Sequence, residues 1–116
     1  MQFQIYIDNE IIGYSQLEWG DAPMGAAGGI FHPTEAYLKY QQIFINSDFE
    51  KIYKLNLYAV AEDGLKFEPV GGVSIIDCSV EIGSEGIEVD VVGLDCKIYQ
   101  KYFPQHIEAY ENKFKL

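Results

Sequence analysis

Val73-Ser74-Ile75-Ile76-Asp77-Cys78-Ser79-Val80-Glu81-Ile82-Gly83-Ser84-Glu85-Gly86-Ile87-Glu88-Val89-Asp90-Val91 is the stretch on which the fold class turns. Its alternation of apolar and polar residues predicts two strands, Val73 to Ile82 and Ile87 to Gly93, joined around Ser84-Glu85. Setting Gly83 opposite Gly86 pairs Ile82 with Ile87, Val80 with Val89 and Cys78 with Val91 on one face. The other face then receives Glu81 beside Glu88 and Ser79 beside Asp90. A slip of one residue would mix the two sides, so the pattern predicts an antiparallel hairpin of specified register.

Working outward, Leu55, Leu57, Ala59 and Ala61 alternate with Asn56, Tyr58 and Val60, and Asp63-Gly64 signals a hairpin turn. Leu65 to Glu68 then returns until Pro69 stops it. At the other end of the chain, Phe3, Ile5 and Ile7 share one strand face. Asp8-Asn9-Glu10 supplies a turn, and Ile11 to Trp19 reads as the returning strand. Residues 20–29 are so rich in Gly and small side chains that they read as an ordered loop, returning as a short strand near Ile30 and Phe31. Pro33-Thr34 opens a helix with Thr34 as N-cap, Glu35 in its first turn and Ala36, Tyr40, Ile43 and Phe44 as its apolar stripe. Asn46-Ser47-Asp48 ends it. Ile98, Tyr99, Tyr102 and Phe103 suit a short helix, which Pro104 either breaks or follows with a second one. Ile107, Tyr110 and Phe114 mark a stripe in that last segment, supported by a Glu111–Lys115 pair. The expectation is one α+β domain over residues 1–116. It would have an antiparallel sheet of about five or six strands, with one central and one or two C-terminal helices on one face.

Composition narrows the function. Eighteen carboxylates stand against eight lysines and no arginine, for a net charge of −10. Such a surface repels phosphates and anionic membranes and attracts basic partners. Without the Arg fork that reads phosphate, carboxylate and guanine edges, neither nucleic acid nor a polyphosphate cofactor is expected. Cys78 and Cys96 make no disulfide framework, and His32 and His106 make no metal motif, so neither a metal nor another cofactor is expected. No leader and no membrane-length apolar run is seen, and the expected location is the cytoplasm.

Two regions stand out as candidate binding sites. The acidic hairpin face of Glu81, Glu88 and Asp90 reads either as a solvated outer face or as a docking surface for a basic partner. A calcium site there lacks the spacing of an EF-hand loop. The Gly-rich loop follows no phosphate-loop spacing, but it gathers Glu18, Trp19, Asp21 and Met24. Trp is a favoured interface anchor and Met adapts to irregular surfaces; the plain alternative is that both plug an edge of the core. His32, between Phe31 and Pro33, reads as a helix cap or as an acid–base group with Asp21 or Glu18. His106 is expected to face solvent. Cys78 is expected inside with Ile76, Val80 and Ile82, and Cys96 is expected to be more exposed. No GxSxG setting and no CxxC is present.

Leu17 to Pro33, through Glu18, Gly20, Asp21, Pro23-Met24-Gly25 and Phe31, resembles a stretch found in an uncharacterised family of small bacterial proteins. The resemblance covers about a seventh of the chain. It implies a bacterial origin and a shared loop, and it implies no activity. In composition the chain also looks like bacterial immunity proteins, which are commonly small, single-domain and acidic. The leading expectation is therefore an acidic protein-binding module, of immunity or inhibitor type, that covers a basic partner surface. The alternative is a small-molecule-binding domain or minor enzyme with its pocket at residues 20–29. Self-association through strand edges and tyrosines is the third reading.

Overall fold

In the computed structural model, which describes residues 1–114, the fold is α+β with eight strands in two antiparallel sheets of four. The first sheet comprises β1 (Phe3–Ile7), β2 (Glu10–Ser15), β5 (His32–Pro33) and β6 (Leu57–Val60), in the order β5-β2-β1-β6. The second comprises β3 (Trp19–Asp21), β4 (Ala26–Ile30), β7 (Val73–Asp77) and β8 (Ile87–Val91), in the order β3-β4-β8-β7. One sheet of five or six strands was expected. Two form because the chain leaves the first sheet at Leu17 instead of running straight on to Trp19.

That crossing is held locally. Leu17 is buried and takes a positive φ of 46°, a conformation that only a surrounding structure can impose on such a side chain. Its N–H donates to Ser15 Oγ at 3.0 Å, and its carbonyl lies 2.8 Å from His106 Nε2. His106 is thus inside, 7% exposed and stacked on Phe103 at 5.3 Å, not in solvent as expected. An imidazole buried against a carbonyl satisfies two polar groups at once.

The inward faces of both sheets meet in one core. Phe3, Ile5 and Ile7 come from β1, as their alternation predicted, and Ile87, Val89 and Val91 come from β8. Phe103 packs 5.3 Å from Phe3 and joins the C-terminal helices to that core. These helices are α4 (Cys96–Tyr102) and α5 (Pro104–Lys113), so Pro104 both ends one helix and opens the next. The expected Glu111–Lys115 pair lies outside the described residues. The Asp63-Gly64 turn is present: Gly64 has a φ of 90°, Ala61 N–H donates to Leu65 O, and Val60 bridges Lys66.

The segment after β5 is more broken than a single helix. A 3₁₀ stretch at Glu35–Lys39 leads into α1 (Gln41–Ile45) and then into a separate turn, α2 (Phe49–Ile52). Thr34 does not cap with its side chain; its hydroxyl donates to Ile11 O at 2.7 Å and ties the segment to β2. Tyr37 points into the core and its hydroxyl donates to Asp77 Oδ2 at 2.6 Å. Burial pushes the Asp77 carboxyl up, but hydrogen bonds from Ser79, Tyr37 and Gln41 outweigh that and hold it below the usual range. The Tyr37 hydroxyl is driven well above its ordinary value by burial and by the carboxylate beside it.

The hairpin that decides the fold class is present, with a different register. Val73 pairs Val91, Ile75 pairs Val89 and Asp77 pairs Ile87. Residues expected to extend the first strand instead form the single helical turn α3 (Ser79–Ile82). Ile75 is therefore inside and Ile76 is 54% exposed; Val80 and Ile82 are 72% and 68% exposed, and Cys78 is only half-buried. Five residues fewer on the first strand, and a helical turn in the connection, keep the Ile87, Val89 and Val91 face apolar. Alternation in Cys78-Val80-Ile82 could not distinguish a short strand from one turn of helix.

Candidate partner-binding face

Residues 20–29 are not a loop. They form most of a hairpin, β3 and β4, around a 3₁₀ turn at Ala22–Met24, and β4 lies in the middle of the second sheet. The glycines there are needed for what lies over them. A Cβ at Gly28 would collide with Asp90 Oδ1 and would sit 2.7 Å from Trp19 Nε1. Glycine inside a strand commonly marks such a close approach.

The pairing brings two separately expected sites onto one surface. Trp19 is opposite Gly28, Gly28 is opposite Asp90, and Asp90 is opposite Ser74, so the four form one row across the sheet. In the next row Ile30 is opposite Glu88, which is opposite Ile76. Alternation puts both rows on the side away from Ile75, Val89 and Val91. This side is open: Trp19 is 43% and Ile76 54% exposed, and Ser74 is exposed. Asp21 follows Trp19 on the same side by the same alternation.

Charge on this face is uncompensated within the sheet. None of β3, β4, β7 and β8 contains a lysine, and between Lys66 and Lys97 there is no cationic residue at all. The ion pairs among the described residues join Lys39 to Glu10, Lys51 to Asp48 and Lys101 to Asp63, all away from these strands. Asp90 is pushed up to about 7 by burial, then by hydrogen bonding to Glu88 and by its charge. Cover from solvent and the carboxylate two residues away both oppose ionisation of Asp90, which is why it stands well above the usual carboxylate range.

Other expected site residues fall elsewhere. Glu18 turns to the opposite side of the hairpin, where its carboxylate accepts the Ile30 N–H at 3.2 Å over Gly29. Met24 is 60% exposed and, with Pro23, Tyr99 and Tyr110, lines a cleft of about 440 Å³ beside α4 and α5. Neither Trp19 nor Met24 plugs the core. A second cleft, about 470 Å³, has Glu18, Trp19 and Asp21 along one wall and Tyr110, Lys113 and Phe114 along the other. His32 is exposed in β5, paired with Tyr14 in the first sheet, and it is not brought to the Trp19 hairpin. Glu81 sits on α3 and faces no partner across a strand; Ile76 takes the position opposite Glu88. Among the described residues, no group of three or more His, Cys, Asp and Glu is placed to hold a metal ion, and no helix is long and apolar enough to cross a membrane.

No family model matches this chain, and no curated protein or solved structure matches it either.

Proposed function

We propose that the chain is a protein-binding module whose second sheet presents an acidic face, with Trp19 at its side, to a basic surface of a partner protein. The observation that carries this reading is the row Trp19–Gly28–Asp90 with Glu88 next to it, in a sheet without a lysine. A Lys or Arg side chain laid across the Trp19–Asp90 row would contact the indole and the carboxylate that close over Gly28. Cation–π contact with Trp contributes about 0.5–2 kcal/mol as water is excluded. The surrounding carboxylates mainly speed encounter and make it sensitive to salt. An immunity- or inhibitor-type role, in which the face covers a functional basic site, is the form of this reading that the net charge of −10 favours.

The test is capture from the source organism's proteome by wild type, Glu88→Lys and Glu62→Lys. Both variants alter net charge equally, but Glu62 lies next to the Asp63-Gly64 turn of the first sheet. One basic protein retained by wild type and Glu62→Lys, lost with Glu88→Lys and released by about 1 M salt is the expected result. Its binding is then measured with the purified pair. A partner held equally by all three chains, or retained at high salt, would refute this use of the face.

A further inference from the structure

The second sheet has two edge strands, β3 and β7. At β3 the inner face is covered: Gly20 lies so close to α4 and α5 that an added Cβ would sit 2.6 Å from the His106 ring and 2.7 Å from the Tyr99 hydroxyl. Among the described residues, β7 pairs with β8 alone. Cys78 N–H donates to Gly86 O at 2.8 Å and Val92 N–H donates to Gly72 O at 3.1 Å. In an antiparallel ladder these bonds place the even-numbered residues in the bonded pairs. The odd-numbered residues Val73 and Ile75 therefore direct their N–H and C=O groups away from β8, toward the side on which α1, α2 and β6 wall a cleft.

Natural sheets usually guard such an edge with Lys, Pro, a bulge or an inward charge. Val73–Asp77 contains neither Lys nor Pro, and its pairing with β8 has no register break. Its one charge, Asp77, lies at the end of the strand and is already held by Tyr37. Beside the edge is a cleft of about 680 Å³ whose walls include Phe44, Phe49, Ile52, Tyr53, Leu57 and Ile75. Phe49 and Tyr53 are 66% and 86% exposed. On the other side of β7, the outward residues Ser74 and Ile76 lead directly to Asp90 and Glu88.

We propose that β7 is a strand-addition edge: an extended segment of the basic partner, alternating apolar residues with Lys or Arg, docks on it as a fifth strand of the sheet. This proposal rests on the acidic-face reading and names the part of the partner that is bound. Backbone groups of Val73 and Ile75 supply the hydrogen bonds that strand addition uses. Period-two alternation sends the apolar side chains into the cleft and the basic ones across Ser74 and Ile76, where their stems lie on Ile76 and their charges reach Glu88 and Asp90. A second copy of this chain is disfavoured as the occupant, since it would set two acidic faces, each on a chain of net charge −10, side by side.

The probes are short synthetic peptides of alternating Val and Lys, of alternating Val and Glu, and the Val–Lys peptide N-methylated along one backbone edge. Binding is read at low salt by calorimetry, and amide hydrogen exchange is followed residue by residue. The Val–Lys peptide is expected to slow exchange at Val73 and Ile75 by about tenfold or more. N-methylation should weaken it by about tenfold, and the Val–Glu peptide should not bind. Ile76→Lys, which places an edge-blocking charge opposite Glu88, should weaken the Val–Lys peptide about tenfold, whereas Ile76→Glu should not. Perturbation of Glu88 and Asp90 without protection of Val73 and Ile75 overturns strand addition and leaves the acidic-face reading standing. Equal binding of the Val–Glu peptide overturns the basic partner segment. Absence of Val–Lys binding overturns the proposal; the acidic-face reading is then judged separately by the Glu88→Lys capture. Sedimentation showing a β7-dependent dimer that excludes the peptide assigns the edge to a second copy and overturns the proposal as well.

Discussion

Replacing Asp90 by Asn removes a carboxyl that the fold holds in an unfavourable place. Its ordinary value is about 3.9, and on the sheet it is pushed up to about 7 by burial, by hydrogen bonding to Glu88 and by that neighbour's charge. A carboxyl raised on folding contributes stability in full below its unfolded value and loses it as pH climbs through the folded one. Wild type therefore sheds stability between about pH 4 and about pH 7, while the Asn variant, never charged, does not. At about 1.36 kcal/mol per pKa unit, the difference reaches about 4 kcal/mol before screening. Asp90 is only half-covered, and solvent screening on an open face brings the expected gain to about 1–2 kcal/mol. Asn keeps a donor at this position in place of the protonated acid. Urea unfolding followed by circular dichroism should show the two chains equal near pH 4 and the variant more stable near pH 8. A variant of unchanged or lower stability at about pH 8, or a gain equally large at about pH 4, would refute this account of the carboxyl pair.

The same carboxyl should make partner binding depend on pH: affinity for a basic partner rises as pH passes upward through about 7, and Asp90→Asn abolishes the rise. Titration at constant salt checks this, and a flat wild-type profile would count against Asp90 as part of the face. Tyr37→Phe leaves Asp77 without a charge-assisted hydrogen bond of 2.6 Å and should cost about 1.5–3 kcal/mol near neutrality. Because the Asp77 carboxyl is held below its usual range, its contribution is present above its unfolded value and is lost as pH falls through the folded one. The Tyr37→Phe cost should therefore shrink in acid, as denaturation at two pH values would show. His106→Phe preserves the stack on Phe103 but leaves the Leu17 carbonyl unpaired, a loss of about 1–3 kcal/mol in unfolding experiments; an unchanged midpoint would mean that water replaces the imidazole.

Segments whose partners are close in sequence were legible from the residues alone. Phe3, Ile5 and Ile7 alternate and are buried, Asp63-Gly64 turns, and Tyr99, Tyr102 and Phe103 face inward at helical spacing. In such places local pattern and burial agree. Where they diverge, the cause is a contact distant in sequence. Gly28 and Gly29 read as loop because they carry no side chains, yet their smallness is what lets Trp19, Asp90 and Glu18 close over a strand. His106 read as a surface residue because the carbonyl it binds belongs to Leu17, 89 residues earlier. Cys78, Val80 and Ile82 continue a strand-like alternation, and only the pairing of β7 with β8 shows that the strand stops at Asp77.

Composition by itself determined the sign of the surface, the lack of an arginine fork and the abundance of core-forming residues, since these are sums over the chain that folding does not alter. Strand alternation and the Gly-rich run brought Glu88, Asp90, Trp19 and Asp21 to notice, though as two unrelated sites. Only tertiary structure decided that Trp19 and Asp90 share one row, that Glu18, Glu81, Met24 and His32 do not join them, and that β7 is an edge strand of its sheet. Strand order and register are properties of pairs of segments, set by which apolar faces can be buried together, and no single segment encodes them.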